Sequence, residues 1–383
     1  MADQDTSTAD QPSAEPEPIE LSNGIRLTGR EWLGLGLFAA LLLVFAPSLY
    51  YRAVKFALEP DYRIPHELSN DYWLYGCFAG LAADHDDTVL IGDSVVWGEY
   101  VTRQETLSHY LNELAGQDRY ANLGLDGAHP LALGGLVEFY ADSVSGKNVL
   151  LHCNPLWMSS RRADLQDDRA NEFNHPRLVP QFAPSVPAYK AEISPRLGIL
   201  VERRLPLSSW TTHLQQAYYD RTDIPAWTLE HPYANPLAPL MRGLPRSDDS
   251  RRHLPQPWYK SGITKQDYPW VDLETSLQWQ AFRGSVELLQ QRGNRVFVLV
   301  GPFNEHLLTP ESRQRYQQVK ATIAAWLREK HVPHAVPPPL PSEQYGDASH
   351  PLAEGYKQLA LELMNDPFFR SAAPAAVGPV QDR

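Results

Sequence analysis

The hydrophobic pattern of this chain changes character along its length. Residues 1 to about 24 are built largely from Asp, Glu, Pro, Ser and Thr, with no basic residue before Arg26 and no apolar periodicity. Residues 1–30 are therefore expected to form a disordered acidic tail. Trp32 to Tyr51 then runs without a charge and carries aromatic residues at both ends. About twenty helical residues at roughly 1.5 Å each reach about 30 Å, the thickness of a bilayer's hydrocarbon core. That predicts one transmembrane helix over residues 31–51 and a juxtamembrane connector from 52 to 83. A cleaved signal peptide fits less well, because the run is long, begins far from the N-terminus and lacks a small-x-small exit. A buried core helix would show a polar face, and this run has none.

From about residue 84, strand-like runs alternate with helical stripes. Thr88 to Ile91 is a β-branched, apolar run, broken by Gly92-Asp93-Ser94. Arg119 to Leu123, Asn148 to Cys153, Arg295 to Val300 and the short His334 to Val336 read as further strands. Between them, Gln104 to Ala115 places Leu107, Tyr110, Leu111 and Leu114 on one helical stripe, and another helix is expected from near Leu131. A third carries Tyr316, Val319, Ile323 and Trp326, and a last one, after His350, turns Tyr356, Leu359, Ala360 and Leu363 inward. The alternation predicts an α/β fold with a flavodoxin-like, doubly wound parallel sheet of about five strands, preceded by the one transmembrane helix. The globular domain is expected over 84–366, with a long insertion after the third strand at about 160–275 and a disordered C-terminal tail over 367–383. In such a sheet the carboxyl ends of the strands form the ligand-binding rim, which here collects Ser94, Gly127, Asn154 and Asn304.

Charge and composition narrow the function. A net charge of −12 offers no basic face for phosphates, so a nucleic-acid partner is not expected. Two cysteines, Cys77 and Cys153, are too few for a disulfide framework or a cysteine zinc site. Asp84-His85-Asp86-Asp87 resembles a metal cluster but precedes the first strand, at the opposite edge of the sheet; a solvated loop accounts for it, and no metal or cofactor is expected. The chain also lacks a Gly-x-Ser-x-Gly elbow, a His-Glu-x-x-His motif and a phosphate-binding glycine loop. In the expected insertion and at its edges, Trp157, Trp210, Trp227, Trp258 and Trp270 suit either stacking on sugar rings or packing of irregular backbone. A long segment after a rim strand is well placed to act as a lid or platform.

The rim residues suit acyl transfer. A serine hydroxyl is a weak nucleophile at neutral pH and needs an imidazole in hydrogen-bond reach. Ser94 is the candidate nucleophile, His350 the base, and Asp347, three residues before it, the group that orients the imidazole. The backbone N–H groups of Ser94 and Gly127 and the side-chain amide of Asn154 are candidate oxyanion donors. Trp157, Asn304 and His306 are candidate substrate contacts, and His306 is the rival base. Each residue also has a plainer reading: Asp347 as a helix cap, Asn154 before Pro155 as a strand-ending turn, Gly127 as a tight turn and His350 as a surface residue.

Gly92-Asp93-Ser94 near the start of the domain and Asp347-x-x-His350-Pro351-x-x-x-Gly355-Tyr356 near its end resemble the SGNH, or GDSL-type, hydrolase superfamily. Ser94 matches the nucleophile of its first block, Gly127 the oxyanion glycine of the second, Asn154 the third-block asparagine, and Asp347 with His350 the fifth block. The matched blocks span about residues 88 to 356. The chain departs from the pattern at Val95, where leucine is usual, and at His152 and Pro155, where glycine and aspartate flank the asparagine. The resemblance implies a membrane-anchored serine esterase or O-acyltransferase with a Ser-His-Asp triad, acting on acylated carbohydrate of the cell envelope or a small acyl ester. A membrane acyl-donor protein is the partner that a transferase of this kind implies. Water as acceptor makes an esterase and a sugar hydroxyl makes a transferase; the acyl-enzyme half-reaction is common to both. Arg26 and Arg30 on one side of the span nearly balance Arg52, Lys55 and Arg63 on the other, so an extracytoplasmic domain is expected by analogy with anchored relatives. The alternative of another class is a catalytically silent scaffold that binds a glycan or a partner protein at the membrane.

Overall fold

The structure is a computed structural model that describes residues 27–370, apart from 55, 57, 58, 60, 86, 87, 171, 236, 237 and 243–254. Most of the expected acidic tail, the C-terminal tail beyond residue 370, Lys55, Asp86 and Asp87 lie outside the described residues. The chain forms two units, residues 1–45 and 46–383.

In the first unit Thr28 and Glu31 make a reciprocal cap. The backbone N–H of Thr28 donates to the Glu31 carboxylate at 2.7 Å, and that of Glu31 donates to the Thr28 hydroxyl at 3.4 Å. The capped helix, α1, spans Gly29–Val54 and leaves Leu33, Phe38 and Val44 exposed. Among the described residues it is the one helix long and apolar enough to cross a membrane. Its last turns, from Ala46, belong to the second unit.

The second unit begins its regular structure with α2, Tyr72–His85, then β1, Thr88–Gly92, the single turn α3, Ser94–Trp97, and α4, Leu107–Ala115. β2, Tyr120–Gly124, leads through α5, Pro130–Tyr140, to β3, Asn148–Cys153. Between Asn154 and Ser276 the described residues include α6, Ile193–Arg204, α7, Pro206–Tyr218, and α8, Ile224–Glu230. α9, Leu277–Gln291, β4, Arg295–Val300, α10, Pro310–Glu329, β5, His334–Ala335, α11, Ala353–Leu363, and α12, Pro367–Arg370, complete it.

All five strands are parallel, in the order β2-β1-β3-β4-β5. Their central positions are apolar on both sides of the sheet, as strands covered on two faces must be. Val89, Ile91, Val149, Leu151, Val296 and Val298 face one core shared with α2, α5, α9 and α10. Leu90, Leu150, Phe297 and Leu299 face a second core shared with α3, α4, α11 and α12. The chain steps from β1 out to β2 and then returns past β1 to β3, so its direction reverses between β1 and β3. In open parallel sheets such a reversal is where ligands are received, at the carboxyl ends of the two strands.

Four local features differ from the sequence expectation. The helix foreseen from Gln104 is interrupted at Thr106, whose hydroxyl accepts from the backbone N–H of His109 and starts α4 afresh. Pro367–Arg370, expected to open the tail, form α12 and bury Phe368 and Phe369 beside Phe297. Arg63, counted above among the charges flanking the span, is 1% exposed. Its guanidinium donates to the carbonyls of Trp97 at 3.0 Å, Gly98 at 2.6 Å and Val101 at 2.9 Å, and lies over the Trp97 ring. It therefore braces the loop after α3 and is no flanking surface charge. The stretch read as a connector also supplies Ile64, Leu68, Tyr72, Tyr75 and Phe78 to the core.

Candidate active site

β1 must end in glycine. A Cβ on Gly92 would meet Val96 Cγ2 at 2.4 Å and His152 Cβ at 2.7 Å, so the strand runs close under α3 only because no side chain intervenes. Asp93 then caps α3 by accepting from the backbone N–H of Val95 at 3.0 Å. Ser94, the first residue of that turn, follows the carboxyl end of β1 with 7% of its surface exposed.

The hydroxyl of Ser94 meets an imidazole from the far end of the domain. Ser94 Oγ and His350 Nε2 are 2.7 Å apart, and His350 Nδ1 lies 2.8 Å and 2.7 Å from the two Asp347 oxygens. Asp347 is held in turn: one oxygen accepts from the backbone N–H groups of Ser349 at 2.9 Å and His350 at 3.0 Å, the other from the Tyr100 hydroxyl at 3.1 Å. Tyr100 also sets its ring edge-on to the His350 ring, centroids 5.6 Å apart.

Charge sets the protonation of this row. Burial pushes the Asp347 carboxyl up, but His350 beside it and the hydrogen bonds it accepts prevail and hold it at about 2. Burial pushes the His350 imidazole down, while the carboxylate of Asp347, followed by Asp93 and Glu99, lifts it to about 9. The imidazole thus holds its proton at neutral pH, and Nε2 becomes a free acceptor as that proton leaves.

Beneath Ser94 lies a second Asp-His pair. Asp93, 1% exposed, accepts from His152 Nδ1 at 2.9 Å, Asn154 Nδ2 at 2.7 Å and Trp157 Nε1 at 3.0 Å, besides the Val95 N–H. Burial acts to raise its carboxyl, but His152, with Asn154 and His350, holds it well below the usual carboxylate range. His152 spans two groups, with Nδ1 2.9 Å from Asp93 Oδ1 and Nε2 3.1 Å from the Gly301 carbonyl, and so ties the loop after β1 to the end of β4.

The remaining expected residues divide. Gly127 is left-handed, with φ of +70°, and a Cβ there would meet Asn174 Nδ2 at 2.2 Å. Among the described residues, neither its N–H nor that of Ser94 donates to a protein acceptor. Asn154 is at once a turn residue and a rim amide: its Oδ1 accepts from the Leu156 N–H at 3.0 Å, and Nδ2 gives one hydrogen to Asp93 and keeps a second. Trp157 commits its indole N–H to Asp93. Asn304, expected as a substrate contact, is fully buried and donates to the Asp347 carbonyl at 2.9 Å, which makes it a strut under the acid loop. His306 binds the Leu340 carbonyl at 3.0 Å, and the imidazole at Ser94 is that of His350.

Sequence alone gives no role to Asp93, His152, Tyr100, Glu99 or Asp126. Glu99 and Asp126 stand in the loops after α3 and β2, and their carboxyls sit above the usual range. Burial is the first cause for both; for Glu99 the next is Asp126 itself. Asp126 pairs with His66 Nε2 at 2.8 Å, and its carbonyl accepts from His175 Nε2 at 2.7 Å. Their place in rim loops was the available signal.

A serine hydroxyl, an imidazole and a carboxylate in one hydrogen-bonded row, over a buried Asp-His pair, is the arrangement that nucleophilic acyl chemistry requires. No protein-family model matches the chain, and no curated protein does.

Proposed function

We propose that this protein is a membrane-anchored serine esterase or O-acyltransferase of the SGNH type, acting on acyl esters, foremost acetyl esters, of a cell-envelope carbohydrate. The observation that carries the proposal is the 2.7 Å contact between Ser94 Oγ and His350 Nε2, continued to Asp347. The strand order supports a flavodoxin-like winding with Ser94 at its switch point, and the stretch at about 160–275 is read as an insertion that would shape substrate access. The carbohydrate, the extracytoplasmic placement and the membrane acyl-donor partner rest on the family resemblance.

In this reading Ser94 Oγ attacks the ester carbonyl while its proton passes to the neutral His350 Nε2. Asp347 stabilises the imidazolium so formed. The Ser94 and Gly127 N–H groups and the second Asn154 amide hydrogen receive the oxyanion, each such donor contributing about 2.7 to 4 kcal/mol to the transition state. The intermediate collapses, His350 returns the proton to the departing alkoxide, and the acyl group remains on Ser94. Water, or a sugar hydroxyl, then gives its proton to His350 and takes the acyl group by the reverse path. Asp93 holds Val95, His152, Asn154 and Trp157 in one arrangement, and so positions the nucleophile's loop against the oxyanion amide.

Fluorophosphonate trapping followed by peptide mapping tests the proposal. Modification of Ser94, lost in Ser94→Ala and His350→Ala but kept in His306→Ala, is expected. Equal p-nitrophenyl acetate hydrolysis by the unaltered chain and Ser94→Ala would turn the reading toward a binding scaffold.

A further inference from the structure

The surface of α6 is unusual for a soluble face. Ile193, Leu197, Leu200 and Val201 recur at three- and four-residue spacing, which aligns them on one side of the helix; Leu205 follows at its C-cap, and all five are exposed. The opposite side ties α6 down by charge. Arg196 donates to the carbonyls of Gln181, Tyr189 and Ala191, Arg203 to those of Arg177 and Val179, and Glu202 pairs with Arg177. The apolar stripe is therefore held outward by its own anchors.

The stripe runs on into a groove of about 590 Å³ between α5, α9 and the backbone around the Ala183-Pro184 peptide. Leu200 belongs to both, and Phe182, 47% exposed, stands at the groove with Phe139 and Leu178. None of the triad residues lines it.

What covers this face follows from the chain's path. α7 follows α6 after the single residue Leu205 and packs against it. α7 also receives the end of α1: the Tyr50 hydroxyl lies 3.2 Å from His213 Nε2 and 2.8 Å from the Tyr218 hydroxyl, and its ring meets that of Trp210 edge-on. His213 is locked by Asp71 at 2.6 Å, both side chains being out of solvent. The turn through which the apolar helix joins the globular unit is thus fastened to the neighbour of α6.

We infer that α6 and the adjoining groove form a lipid-facing surface, which seats the globular unit on the bilayer that α1 crosses. The inference rests on the reading of α1 as a membrane span. An apolar stripe at the lipid boundary and a basic side chain at its end, Arg204, which is exposed and long enough to reach phosphates, are the features of a helix lying in the interface. The tether supplies the high local lipid concentration that so short a stripe needs.

The test uses the full chain in vesicles of phosphatidylcholine and phosphatidylglycerol containing doxyl-labelled lipid. A bimane fluorophore is placed on Leu197→Cys, Phe182→Cys, Leu361→Cys as a surface control on α11, and Leu37→Cys in α1, with the signal of the unsubstituted chain subtracted and folding checked by circular dichroism. Quenching at positions 197 and 182 about twofold or more above that at 361 is expected for an interfacial helix. Quenching at 37 with 197 and 182 no higher than 361 overturns the inference and leaves the span intact. Absence of quenching at 37 overturns the span and the inference together. Protection of 197 from lipid, with disulfide cross-linking between copies, would assign the face to self-association and also overturn it.

Discussion

Asp93 and His152 are hydrogen-bonded 2.9 Å apart, each 1% exposed, directly beneath the turn that carries Ser94. The pair joins β1 to β3 where their side chains leave the sheet, and Asn154 and Trp157 depend on the same carboxylate. Replacing Asp93 with Ala leaves His152, Asn154 and Trp157 without their shared buried acceptor. A loss of about 3 kcal/mol or more in stability is expected, read from urea unfolding. A variant as stable as the parent would show that the pair does not brace this turn.

The acid of the row and its strut should separate in kinetics. Asp347→Asn removes the carboxylate that fixes the His350 tautomer, and kcat for ester hydrolysis should fall by about 10⁴. Asn304→Ala only loosens the loop that carries Asp347, so kcat should fall about tenfold to a hundredfold while KM stays near the parent value. A rise in KM with unchanged kcat would return Asn304 to the substrate.

The proton on His350 gives the reaction a direction in pH. The base must be neutral, which it becomes only as pH rises past about 9, so kcat/KM should climb with pH and level off above that value. Glu99 is among the carboxylates that lift this imidazole, and Glu99→Gln should move the climb to lower pH and raise activity at neutrality. Hydrolysis of p-nitrophenyl acetate, corrected for the spontaneous reaction at each pH, reads both. A profile that falls over this range, or one indifferent to Glu99, contradicts the assignment.

Gly127→Ala places a Cβ on a left-handed residue and against Asn174. Displacement of its N–H from the oxyanion should cost about 10² to 10³ in kcat, with fluorophosphonate labelling of Ser94 slowed in step. The companion variant Asn174→Ala alone should leave kcat nearly unchanged, since that side chain only occupies the space the methyl would need.

Much of this architecture is legible in the sequence because β-branched runs such as Thr88 to Ile91 and Arg295 to Val300 have few other homes than a buried parallel strand. Once the strands stand, the loops after them share an edge, and Ser94, Asn154 and Gly127 follow. Position on an edge does not reveal which way a side chain turns, and so Asn304 reads as a substrate contact although it points into the protein. Pairings across strands are equally silent: nothing near Asp93 announces His152, which arrives from β3. Arg63 misleads for a related reason, since a cation satisfied by three carbonyls leaves no charge pattern behind. The break at Thr106 carries the residue type of a helix cap, yet the apolar stripe passes over it without interruption.

The contact between Ser94 and His350 closes a separation of 256 residues, with four of the five strands laid down in between. During synthesis the hydroxyl therefore emerges long before its imidazole, and a ribosome-bound chain short of His350 holds Ser94 without a base. If the domain is threaded across a membrane as it is made, the proposed chemistry would be switched on only when the last part of the fold has arrived, on the side where folding finishes.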